Sequence, residues 1–365
     1  YQWYLTSSRE QKMKKILHFL LISFFSFNII SCETSTMLLV GAAGGGAAYW
    51  YKDDISTWYD DFSKESASVA DETDETDLTE ETSADAEGIS SLFVSVGGKG
   101  TIITSSNGTK WTRRTSRTKA KLRAVTYGND TFVAVGFSGI ILTSEDGTIW
   151  TKSRSGTKKH LGNVTYGNDT FVAVGNSGTV ITSEDGTKWT KRKSRTKASL
   201  YGVTYGDDTF VAVGNKGTII TSSDGTKWTK RKSKTSQEFN EVIYGDDTFL
   251  AFGFKGVIRS SSNGKTWSKI KSGTRMGLLG ATHGDSTFIA VGNSGNFITS
   301  EDGTMWTKGK VRTKKHLRGA TYGDGKFVMV GNGGTIFTSP DSTTWTKRKS
   351  GTSRHLRRVY FKLME

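Results

Sequence analysis

From residue 91 onward, short apolar runs alternate with turns built of Gly, Asn and Asp, and the alternation recurs along the chain. One stretch shows the unit. Residues 200–206 (LYGVTYG), 209–213 (TFVAV), 218–221 (TIIT) and 227–232 (KWTKRK) read as four strands, because 4–8-residue β-rich runs bounded by turn residues are strand and hairpin signals. The second and third runs are apolar at every side-chain phase, which suits strands covered on both sides. Four short strands per unit predict one blade of a propeller.

The period is set by tryptophan. Trp111, Trp150, Trp189, Trp228, Trp267, Trp306 and Trp345 recur every 39 residues, and a fixed period of this size marks a repeat architecture. The ends of the array are offset. Leu92-Phe93-Val94-Ser95-Val96 aligns with the second strand of a unit, and Leu356 to Phe361 aligns with the first. The last segment therefore supplies the strand that the first blade lacks. An open solenoid would need capping repeats instead. The prediction is an all-β, seven-bladed β-propeller of four-stranded blades, closed by the C-terminal strand joining the N-terminal blade.

Each Trp closes a turn of the form Ser-x-Asp/Asn-Gly-Thr-x-Trp, as in Ser183-Glu184-Asp185-Gly186-Thr187-Lys188-Trp189, with Lys265 at the Thr position of one unit and Ser342 at the Gly position of another. The acidic or amide position is Asn107, Asp146, Asp185, Asp224, Asn263, Asp302 and Asp341. Asp or Asn bonds its own turn backbone and Gly supplies positive φ, so the turn is expected to be structural. This sequence resembles the Asp-box of bacterial-neuraminidase-type repeats, one residue tighter. It is also similar to the propeller of photosystem II assembly and stability factors. The resemblance covers all seven units. It implies a structural motif on the face away from the binding site, with the Trp packed on the neighbouring blade.

The region before the array reads differently. Met13 precedes Lys14-Lys15 and an apolar run from Ile16 to Phe25, the pattern of a charged n-region and an h-region. The run closes on Ile29-Ile30-Ser31-Cys32, which resembles the lipobox of bacterial lipoproteins, and so implies lipidation of Cys32. The expected organisation is 1–32 as upstream residues plus signal peptide, with residues 1–12 ahead of the start. An apolar Gly/Ala-rich segment (33–52), an acidic linker (53–90) and the propeller (91–365) follow. Residues 37–51 are too short for a full helical span and either associate with a membrane or pack on protein. Glu33, rather than Asp, after the cysteine favours an outer membrane or cell surface as the expected location.

Charge divides the chain. Residues 53–90 hold 14 Asp and Glu against the single base Lys64, whereas 91–365 hold 44 Lys and Arg against 19 Asp and Glu. The first composition cannot bury enough surface to fold and reads as a tether. In the second, the position two after each Trp is basic in all seven units: Arg113, Lys152, Lys191, Lys230, Lys269, Lys308 and Lys347. Four after, Arg154, Lys193, Lys232, Lys271, Lys310 and Lys349 are basic. These residues are expected to ring the channel mouth opposite the Asp-containing turns. There they either bind a polyanion or partner protein, or keep outer strands soluble. The acidic tether docking on this basic body is a third possibility.

Catalysis needs unlike groups brought together, and here the units are alike and carry no insertions. The recurring Tyr127, Tyr166, Tyr205, Tyr244 and Tyr322 read as packing residues. His160, His316 and His355 share one repeat position and are not expected to hold a metal. Glu238, Phe239 and Glu241 break the pattern in one unit. The expected function is a non-catalytic, lipid-anchored envelope scaffold without cofactor, monomeric, with a protein or anionic polymer as partner and no specific nucleic acid. A lectin for anionic glycans is the alternative, and a sialidase-like hydrolase the next.

Overall fold

Strands apolar on both faces must be covered on both sides, and a ring of radially packed sheets does this without leaving an end sheet bare. The computed structural model describes residues 28–29, 36–40, 48–51 and 91–363. Cys32, the signal-like run and the acidic segment lie outside the described residues, apart from Asn28 and Ile29. The chain divides into two units, Tyr1–Asp85 and Ala86–Glu365. In the first, Thr36–Val40 pairs antiparallel with Ala48–Tyr51, and Asn28–Ile29 adds a third strand. Among the described residues no helix is long and apolar enough to cross a membrane.

The second unit is a seven-bladed propeller with strands a to d in each blade. Blade 1 is Leu122–Gly128, Thr131–Gly136, Ile140–Ser144 and Thr151–Arg154. Blade 2 is Leu161–Gly167, Thr170–Gly175, Thr179–Ser183 and Thr190–Arg192. Blade 3 is Leu200–Gly206, Thr209–Gly214, Ile219–Ser222 and Thr229–Arg231. Blade 4 is Phe239–Gly245, Thr248–Gly253, Ile258–Ser261 and Ser268–Ile270. Blade 5 is Leu278–Gly284, Thr287–Gly292, Asn296–Ser300 and Thr307–Lys310. Blade 6 is Leu317–Gly323, Lys326–Gly331, Ile336–Ser339 and Thr346–Arg348. Blade 7 is composite: its strand a is the C-terminal Leu356–Leu363, and its b, c and d are Ser91–Gly97, Ile102–Ser105 and Thr112–Arg114.

Strand a of each blade contacts strand a of the next, blade 7 to blade 1 included. Strand a therefore lines the axis and strand d forms the rim. The C-terminal strand closes the ring as the sequence predicts, with Leu363 opposite Ser91 and Leu356 opposite Gly97.

The cores lie between blades. Val172 and Val174 of blade 2 pack with Phe210, Ile220 and Trp228 of blade 3, and Leu92 and Val94 of blade 7 with Phe132 and Leu142 of blade 1. Backbones approach so closely, within blades and between them, that some positions admit no side chain. A Cβ at Gly214 would stand 2.0 Å from the Ser199 carbonyl oxygen. At Gly206 it would enter the Tyr244 ring, which lies flat on that glycine. The closing blade departs from this rule. Lys362 stands at the glycine position, and its Nζ sits 4.0 Å from the centroid of Tyr127, a cation–π contact at the joint of the ring.

Candidate functional site at the channel mouth

In a four-stranded meander the a–b and c–d turns share one end and the b–c and d–a connections the other. Hydrogen bonds from Asn129 Nδ2 to Glu184 O and from Asn168 Nδ2 to Ser223 O join the a–b turn of one blade to the c–d turn of the next. Every Asp and Glu between Ser91 and Leu363 except Glu238 and Glu241 lies in one of these turns. That face is acidic. The opposite face carries Lys99, Lys216 and Lys255 in the b–c turns, and Lys119, Lys158, Lys197, Arg275 and Lys314 in the d–a connections. That face is basic.

The acidic turns are occupied by their own chemistry. Asp185 Oδ1 accepts the N–H groups of Thr187 and Lys188, each at 2.8 Å, and the Ser183 hydroxyl. Trp189 Nε1 donates to Gly186 O at 2.7 Å. The same set recurs at Asp146, Asp224, Asp302 and Asp341, and Asn107 and Asn263 accept the equivalent N–H bonds. Burial raises the pKa of Asp146, Asp185 and Asp224, but the donated bonds outweigh it and hold all five carboxyls well below the usual range. Trp111, Trp150, Trp189, Trp228, Trp267, Trp306 and Trp345 each donate to the backbone three residues earlier.

The basic residues two after Trp sit elsewhere than expected. Arg113, Lys152, Lys191, Lys230, Lys269, Lys308 and Lys347 all lie in strand d and are exposed on the rim, not around the channel mouth. The reason is local: strand d is only three or four residues long and begins directly after Trp, so its second residue falls mid-strand at the outer edge. Lys193, Lys232, Lys271 and Lys349 follow just past the strand end, and Arg154 and Lys310 end it.

The mouth itself is lined by residues the repeat pattern concealed. Every strand a begins with a register shift, between Leu200 and Gly202 in blade 3 and at the same place in the other six. A bulge of this kind re-aims a side chain. The residue at the shift is Arg123, Gly162, Tyr201, Asn240, Leu279, Arg318 and Arg357 in blades 1 to 7. Three arginines thus come from the consecutive blades 6, 7 and 1, and uncharged residues from blades 2 to 5. Arg318 Nε donates to Asn332 Oδ1 at 3.0 Å. Phe137 stacks on His160 at 4.2 Å, with the Arg123 guanidinium 5.8 Å from its ring centroid.

One residue deeper the axis is bolted. Arg358 Nη2 of blade 7 lies 2.6 Å from Glu241 Oε2 of blade 4, and Asn163 Nδ2 of blade 2 donates to Glu241 Oε1 at 3.2 Å. Arg358 also donates to the Arg318 carbonyl at 2.7 Å. Burial pushes the Glu241 carboxyl up, while the Arg358 charge pulls it down. The histidines do other work. Nδ1 of His160, His316 and His355 accepts the N–H of Ser138, Ser294 and Gly333, tying a b–c turn to the residue just before strand a of the next blade. Accepting through Nδ1 requires that nitrogen to be unprotonated. Burial, with a smaller contribution from the Arg123 charge, lowers the pKa of His160. No cluster of metal-ligating groups occurs among the described residues.

The family model for the DUF6242 beta propeller domain matches residues 118–239 and 202–317. No protein of curated function matches the sequence. Among solved structures, YCF48 bound to a D1 peptide is 18% identical with a TM-score of 0.57, over 69% of this chain and 87% of that one. YCF48 from Cyanidioschyzon merolae is 16% identical with a TM-score of 0.53, over 65% and 87%. At these identities the likeness concerns the fold.

Proposed function

This chain belongs to the DUF6242 β-propeller family, and we propose that it is a non-catalytic binding scaffold that holds an anionic partner, protein or polymer, on its basic face. The segregation of charge carries the reading. Between Ser91 and Leu363 carboxylates are confined to one face apart from Glu238 and Glu241, so an anionic partner meets the other face of the ring with little like-charge opposition, and steering is strong there. The mouth arginines Arg123, Arg318 and Arg357 are the natural focus, because the blades differ from one another there. YCF48, of the same fold, has been solved holding a peptide, which supports a propeller of this kind binding a protein segment. Lipidation at Cys32 and the acidic run 53–90 would hold the scaffold at a bacterial envelope.

The test is a binding titration of the full chain against an acidic peptide, a sulfated polysaccharide and a neutral polysaccharide at several salt concentrations. Binding to the anionic probes that weakens with salt supports the scaffold reading. Salt-independent binding of the neutral polysaccharide would replace it with a lectin.

A further inference from the structure

Blade 4 is the one blade that carries a charge inside its sheet packing. The middle residue of strand c is Ile103, Leu142, Ile181, Ile220, Ile298 or Phe337 in the other blades, all buried. In blade 4 it is Arg259, only 5% exposed. Its Nε donates to Ser233 O at 2.7 Å, and its two terminal nitrogens to Ile258 O and Lys234 O at 3.0 Å. Carbonyls satisfy donors but leave the charge uncompensated, and no salt bridge to a described carboxylate offsets its burial. Burial accordingly pulls the Arg259 pKa down.

Its setting adds to the imbalance. Arg259 stands directly opposite Lys269 across the c–d pair, so two cations share one side of the sheet, an arrangement that costs stability. Both line a concavity of about 890 Å³ with Lys255, Lys271, Arg275 and Lys308, and its lining holds no Asp or Glu. The volume is in the range of ligand sites. Elsewhere the outer arginine of strand d, at Arg114, Arg192, Arg231 and Arg348, bonds a threonine of strand c. In blade 4 these two positions are Ile270 and Ser260, so the arginine has moved from the rim to the wall of the hollow.

We propose that this hollow in blade 4 is a binding site for a compact, multiply charged anion bearing phosphate or sulfate groups. Arg259 is its fixed counter-charge, and Lys255, Lys269 and Lys308 complete the cationic wall. Three of the five guanidinium N–H groups are held by carbonyls, so Arg259 acts through its fixed, poorly solvated charge and its remaining N–H groups, and charge-assisted bonds of this kind are strong. The site narrows the basic-face reading to one blade, and the experiment separates the two.

Pyrophosphate and a disulfated disaccharide are titrated into the full chain by calorimetry, with melting temperature followed in parallel and a long polyphosphate as the face-wide probe. The decisive variant is Arg259→Ile, which installs the residue that blades 2, 3, 5 and 7 already carry. It is expected to melt no lower than the parent, since removing an uncompensated buried charge is neutral or stabilising, and to bind the compact anion at least tenfold more weakly. Lys230→Ala/Lys232→Ala, which removes two cations from blade 3, should leave that affinity within twofold. Which of the two compact probes binds tells phosphate from sulfate. Failure of both to bind the parent at millimolar concentration overturns the site, as does unchanged binding in Arg259→Ile or an equal loss in the blade 3 variant. Polyphosphate binding that survives Arg259→Ile while the compact anions never bind would leave the face intact and remove the pocket.

Discussion

The seven blades agree closely in their c–d turns and between-blade cores, and differ most at the first residues of strand a. Both regions come from the same repeat, so the contrast isolates what each is for. The turn residues Ser183, Asp185, Gly186 and Trp189 satisfy one another and reappear with little change in every blade. The bulge residues range from glycine to arginine at equivalent backbone positions. Packing therefore tolerates almost anything at the mouth and almost nothing at the turn, and variety survives where the ring does not need uniformity.

The largest effects should fall on the uniform region. Trp228 is 1% exposed and donates to Gly225 O at 2.8 Å, so Trp228→Ala should cost about 3–5 kcal/mol in urea unfolding. Leu279→Ala, at the mouth, should cost about 1 kcal/mol or less. The axial bolt tests whether the variable region contains a structural exception. Glu241→Leu leaves the Arg358 charge buried across the axis and should cost about 3 kcal/mol, whereas Glu241→Leu/Arg358→Met should recover most of that loss. Additive losses in the double variant would mean the two side chains are not coupled.

Smaller in stability, but decisive for function, is the exchange of Arg123, Arg318 and Arg357 for Ala. Salt-sensitive binding of an acidic peptide should fall at least tenfold, while the same exchange at the rim residues Lys191, Lys230 and Lys347 should cost less than half as much in binding free energy. Equal losses would place recognition on charge spread over the disc rather than at its mouth.

The smallest effect concerns acid. The five turn carboxyls titrate below their unfolded value near 3.8, so the stability they confer is complete above that pH and lost as pH falls through their folded values. Replacing Asp146, Asp185, Asp224, Asp302 and Asp341 with Asn should flatten the decline of melting temperature below about pH 4 and change it little at neutral pH, because Asn107 and Asn263 already serve the same turn.

How much of this was legible in the chain follows from what repeats. The Trp period and the offset ends were enough to derive seven blades and a composite closure, because both are local sequence facts carried through seven copies. The likeness to photosystem-factor propellers, drawn from seven short turns, agrees with the YCF48 structures. Strand d was harder. Its basic residues are conspicuous by number, but their place on the rim depends on how soon the outermost strand starts after Trp. Arg123, Arg318 and Arg357 were hidden because three like residues in seven copies look like noise until a bulge turns them to one opening. Glu241 stood out in its unit, yet its partner Arg358 lies in the closing strand, and only the ring brings them together.

The composite blade has a mechanical consequence. The chain enters the ring at Ser91, in strand b of blade 7, which is hydrogen-bonded on one side to the C-terminal strand and on the other to strand c. Tension transmitted through the residues before Ser91 acts along that strand. It must slide two ladders past their partners at once, rather than peel an edge open bond by bond. A propeller whose first strand lay at the rim would unzip from an edge under the same pull.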